Sequence, residues 1–68
     1  MRASSRRYLV GVAGRNVEAL AGAGEVNRAM VIVDKVYKFD PSEDTKGELL
    51  KFAQRAGNGT VVEHIRAK

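Results

Sequence analysis

The apolar residues of this chain fall into three dense runs separated by turn-forming residues. Tyr8-Leu9-Val10-Gly11-Val12 is the first. Met30-Val31-Ile32-Val33 opens the second, which continues through Val36, Tyr37 and Phe39 with Lys35 and Lys38 interposed. Thr60 to Ile65 is the third. Short apolar runs rich in β-branched residues and bounded by turn signals read as strands. The pattern therefore predicts strands at 8–12, 30–39 and 60–65. In the second, Val31, Val33, Tyr37 and Phe39 would share one face. Met30, Ile32 and Val36 would share the other with Asp34 and Lys38.

Between the first two runs, Gly14-Arg15-Asn16 reads as a turn. Asn16 would cap a short helix over Val17 to Ala21. Gly22 and Gly24 oppose a longer helix, since an interior glycine costs about 1 kcal/mol relative to alanine. A further helical turn near Glu25 to Arg28, or a hairpin through Gly22-Ala23-Gly24, would follow. After the second run, Asp40-Pro41-Ser42-Glu43 stops the strand and starts a helix: Asp40 caps, Pro41 suits the first position and Glu43 closes a capping box. Thr45 and Glu48 offer a second box. Leu49, Leu50, Phe52, Ala53 and Ala56 form the apolar face of this helix, and Gly57 suits a left-handed cap. The expected fold is α/β (α+β): a small three- to four-stranded sheet, one long helix on one face, and a short second helix or turn.

Length constrains this picture. The chain has 68 residues and no cysteine, so it forms a single small domain, 1–68, with residues 1–6 as a flexible basic arm. A domain of this size buries only about 60% of its unfolded surface. One helix covers one face of a sheet, so the other face needs cover. That points to a homodimer or to a subunit of a larger assembly. No apolar run approaches the ~20 residues of a membrane span. The expectation is a soluble, cytoplasmic protein without a membrane partner.

The net charge of +4 sits at one end. Residues 1–15 hold Arg2, Arg6, Arg7 and Arg15 and no acid, whereas bases and acids nearly balance afterwards. A basic arm attracts phosphates or an acidic protein surface. Tyr8 and Tyr37, on strands beside Arg6, Arg7, Lys35 and Lys38, could stack unpaired bases. Arg2, Arg6, Arg7, Tyr8, Arg15, Lys35 and Lys38 are therefore the candidate nucleic-acid contacts, on the arm and a basic sheet or helix edge. A competing expectation packs Tyr37 and Phe39 under the helix with Leu50 and Phe52, leaving only the lysines wet.

Other constellations carry less. Gly11 to Asn16 lacks the third glycine of a dinucleotide fingerprint and the Lys-Ser/Thr of a phosphate loop. His64 is the single histidine, and on a strand it would point away from Glu63, so the two form no dyad. Asp40, Glu43, Asp44 and Glu48 are explained by the helix dipole before any cation. No nucleophile–base pair is evident, and so short a chain is not expected to enclose a pocket of ~300 Å³. A non-enzymatic binding module with no cofactor and no metal follows. Its partner would be RNA or DNA, or alternatively a protein or a second copy of itself.

Two stretches bear a slight family likeness. Gly14 to Glu18, Ala29 to Asp34 and Asp40-Pro41 resemble the helix-strand-helix middle of ribosomal-type kink-turn RNA-binding proteins. Tyr8 to Gly14, Val36-Tyr37 and Gly57 to Val62 resemble the small capping linker domains of light-harvesting antenna complexes. The spacings of the first and the interrupted glycine pair of the second depart from those patterns, so neither transfers a residue's role.

Overall fold

The computed structural model describes residues 3–68, with side chains from Arg6 onward. Four helices account for it: α1 (Ala3–Gly22), α2 (Val26–Phe39), α3 (Glu43–Ala56) and α4 (Gly59–Arg66). Among the described residues there is no strand. The expected sheet is therefore wrong, and the fold is all-α. The stretch that would be a strand in the kink-turn likeness lies wholly inside α2.

The reason lies in the spacing of the residues that become buried. In α1 these are Val10, Gly14, Val17 and Ala21, a stripe at i, i+4, i+7 and i+11. In α2, Ala29 and Val33 are buried, and Val26, Met30, Ile32 and Val36 pack beside them. An element begun at Met30 omits Val26 and Ala29, which reveal the helical period. In α4, Val61 and Ile65 are buried one turn apart. All three apolar runs are rich in β-branched residues, whose lower helix propensity is worth only tenths of a kcal/mol each. Fully burying a Val, Leu or Ile is worth about 1.5–3 kcal/mol, so the packed stripe decides.

Helix ends are set by local chemistry. The Glu25 amide donates to the Leu20 carbonyl (2.8 Å) and the Gly24 amide to the Ala21 carbonyl (3.2 Å). With Gly24 at φ 80°, this is a Schellman cap. Gly24 therefore ends a 20-residue helix rather than forbidding one, and Gly22 is its last residue. Pro41 disfavours helical backbone at Asp40, which adopts φ −142°, ψ 84°. The cap of α3 is Ser42, whose Oγ accepts from the Thr45 amide at 3.2 Å. The helix expected here, and its end at a left-handed Gly57 (φ 70°), are present. Asn58, expected to lie in a turn before a strand, instead caps α4 by accepting from the Val61 amide.

α1 is the spine: it packs on α3 and on α2, while α4 closes the other side of the bundle against α3 and α2. The whole measures 33 × 21 × 17 Å. The core holds Val17, Ala21, Ala29, Val33, Leu49, Ala53, Val61 and Ile65. Gly14 gives α1 its close approach to α3, because Phe52 lies where a Cβ would stand. The residue expected to make a turn is thus a helix-packing contact. Asn58 adds a second tie by donating from Nδ2 to the Ala21 carbonyl at 3.1 Å. Because the four helices close their own core, no sheet face is left waiting for a partner.

Candidate interaction surface

Burial of one stripe on each helix determines what the other faces show. Val10, Gly14, Val17 and Ala21 turn inward, so Tyr8, Leu9 and Val12 fall outside the α1 stripe. On α2, Val31 and Phe39 lie off the stripe of Ala29 and Val33, and Lys35 lies one turn from each of them. The exposures follow: Tyr8 70%, Leu9 45%, Val12 38%, Val31 50% and Phe39 48%. Leu9, Val10, Lys35, Val36 and Phe39 line a shallow groove of about 200 Å³ between α1 and α2. Leu9, Val12, Val31 and Phe39 are the residues that reading the segments as strands overlooks. The helical period would have found them, as the apolar positions that miss each buried stripe.

The candidate nucleic-acid residues are redistributed. Arg2 lies outside the described residues. Tyr8 and Arg15 are exposed on α1, two turns apart, and Lys35 and Lys38 are exposed on α2. No basic sheet edge exists to hold them. Arg6 and Arg7 are also exposed, but they line a half-open groove of about 550 Å³ with Asp40, Asp44, Thr45 and Glu48. The groove is larger than the chain's length suggests. Its three carboxylates offset the charge of the two arginines, so the N-terminal end is a mixed-charge surface. The packing expected of the aromatics is also divided. Phe52 is in the core, Tyr37 is half-buried and Phe39 is half-exposed.

The acidic start of α3 behaves as a capping region. Glu43 and Asp44 occupy its first turn, where carboxylates face the positive end of the helix dipole. Buried Thr45 donates from Oγ1 to Asp40 Oδ2 at 2.8 Å and accepts from Ser42 Oγ at 3.2 Å. Asp40 thus supports the cap from outside and is not itself the cap. Among the described residues, no cluster of His, Cys, Asp and Glu is suited to holding a metal ion.

His64 is the clearest departure from a strand reading. On α4 it faces α2, and its Nε2 lies 2.7 Å from Asp34 Oδ1. Lys68 Nζ donates to the same oxygen. The hydrogen bonds from Lys68 and then His64 hold the Asp34 carboxyl below the ordinary carboxylate range. Asp34 is half-exposed, so this cluster latches α4 to α2 at the surface and is not a buried reactive site. Across the bundle, Arg55 pairs with Glu18 of α1 at 3.7 Å and lies 5.6 Å from the Phe52 ring centroid.

Neither a protein-family model, nor a curated protein, nor a solved structure matches the chain. No helix among the described residues is long and apolar enough to cross a membrane.

Proposed function

We propose that this chain is a small non-catalytic protein-interaction module whose contact surface is the α1–α2 face. One observation carries the reading. Among the described residues, the exposed large apolar side chains are Tyr8, Leu9, Val12, Val31 and Phe39, all on α1 and α2. Scattered single apolar residues need no explanation, but a set confined to one pair of helices and sharing a groove does. The nucleic-acid reading loses support because Arg6 and Arg7 share their groove with Asp40, Asp44 and Glu48. Lys35 borders an apolar wall rather than a phosphate-sized basic track.

The test is an amide-shift titration of labelled protein with an uncharged amphipathic helical peptide and, separately, with single-stranded RNA and duplex DNA. The expected result is peptide-induced shifts clustered around Leu9, Val12, Val31 and Phe39. Micromolar nucleic-acid binding that weakens steeply with salt, and that Arg6→Ala with Arg7→Ala abolishes, would overturn it.

A further inference from the structure

We infer that the α1–α2 face takes an acidic amphipathic helix, its apolar side seated in the groove of Leu9, Val36 and Phe39 and its carboxylates meeting Lys35, Lys38 and Arg15. The inference rests on the protein-interaction reading and adds the chemistry of the partner.

Groove size selects the kind of occupant. At about 200 Å³ it is smaller than the ~300–1,000 Å³ typical of small-molecule sites. It suits anchor side chains delivered by a folded segment. Its walls run lengthwise: Val31, Lys35 and Phe39 stand at i, i+4 and i+8 on α2, and Leu9 and Val12 at i and i+3 on α1. Eight residues of helix span roughly 12 Å, which is two turns of a partner helix. Two exposed apolar stripes with a shallow furrow between them are the receiving half of helix-in-groove recognition.

Charge selects the sign. Glu18 and Asp34 are the acids within α1 and α2, and both are engaged elsewhere. Glu18 pairs with Arg55 on α3, and Asp34 pairs with His64 and Lys68 at the α4 end. Arg15, Lys35 and Lys38 are exposed, and none of them takes part in an ion pair among the described residues. The rim of the apolar face is therefore left with positive charge alone. A second copy of the chain is a poor occupant, because a twofold interface sets Lys35 and Lys38 near their own counterparts and like charges repel. A segment with apolar anchors on one side and Glu or Asp along the flanks is complementary in both respects.

The experiment is fluorescence anisotropy with three labelled helical peptides of about four turns. They share Leu anchors at i, i+4 and i+7 and differ only in carrying Glu, Gln or Lys at the polar positions. A single-stranded RNA is the fourth probe. The Glu peptide is expected to bind at least about tenfold tighter than the Gln peptide, a margin of ~1.4 kcal/mol, and the margin should shrink as salt rises. Leu9→Asp or Phe39→Asp should weaken binding about tenfold or more, with the thermal melt checked by circular dichroism. Lys35→Glu with Lys38→Glu, which touches no core residue, should reverse the preference toward the Lys peptide. If the Gln and Glu peptides bind equally, or the Lys peptide binds best, and Leu9→Asp still weakens binding, the acidic partner is refuted while the docking face stands. If none of the three peptides binds, or RNA binds tighter and displaces the Glu peptide, both readings fall.

Discussion

Gly11 and Gly14 lie one turn apart in α1, and the structure assigns opposite signs to the same substitution at each. An interior helical glycine costs about 1 kcal/mol relative to alanine through backbone entropy. A Cβ at Gly11 would meet nothing within 4 Å, so Gly11→Ala should recover about 1 kcal/mol. A Cβ at Gly14 would overlap the Phe52 ring. That ring is 8% exposed, so it has little room to swing aside. The overlapped atoms include the inner edge of the ring, not the tip of a flexible chain. Overpacking a core typically costs 1–3 kcal/mol, and a clash this close belongs near the upper end, about 3 kcal/mol. Subtracting the propensity gain leaves Gly14→Ala about 2 kcal/mol less stable than the parent. The two variants should therefore differ by about 3 kcal/mol.

Urea denaturation followed by circular dichroism measures both. At roughly 4–8 °C per kcal/mol for a domain this small, Gly11→Ala should melt higher than the parent and Gly14→Ala clearly lower. Phe52→Leu removes the clashing ring, so it should cost less in the Gly14→Ala background than alone. That coupling shows as non-additivity in the double-mutant cycle. Equal stabilisation by alanine at both glycines would refute the packing of α1 on α3 through Gly14, and with it the α-helical account of this segment.

Asn58 both caps α4 and bonds the Ala21 carbonyl. Asn58→Ala should cost about 2 kcal/mol, and Asn58→Ser, which keeps a capping oxygen, about 1 kcal/mol; chemical denaturation separates the two. Gly57→Ala forces a Cβ into φ 70° and should destabilise by roughly 1–2 kcal/mol, measured by the shift in melting temperature. Because the folded-state pKa of Asp34 is lowered, its contribution is present above the unfolded carboxylate pKa and is lost as pH falls through the folded value. Stability should therefore drop in the acid range and stay flat near neutrality for this group. Asp34→Asn should flatten that acid limb and, being a half-exposed ionic contact, cost no more than about 1 kcal/mol near neutral pH. Urea titrations across the acid range read both effects. Ser42→Ala should lose about 1 kcal/mol, and an unchanged melt would remove Ser42 as the cap of α3.

The segments differ in how far they could be read. The helix after Pro41 was legible because its signals are local: a stop at Asp40-Pro41, acids in the first turn, an apolar face from Leu49 to Ala56 and Gly57 at the end. The candidate surface was only half legible. The exposed bases were visible as charges, but their apolar neighbours were assigned to a core. Strand-like composition at 30–39 and 60–65 hid a helical period that emerges only when Val26, Ala29 and Val33, or Val61 and Ile65, are counted together. Gly14 could not be read at all from its surroundings, since a glycine in sequence signals a turn equally well.

The chain's own chemistry determined where helices stop, through Gly24, Pro41 and Gly57, and where its positive charge lies. Those are contacts within a few residues, and their energies do not wait on the rest of the fold. Tertiary structure decided whether the β-branched runs became strands or helices, because burying Val17, Val33, Val61 and Ile65 in one core outweighs tenths of a kcal/mol of local preference. It also decided that Gly14 is a contact, that His64 meets Asp34, and that Leu9 and Phe39 face outward beside Lys35. Each of those pairs residues far apart in the chain, and only the packing of one helix on another brings them together.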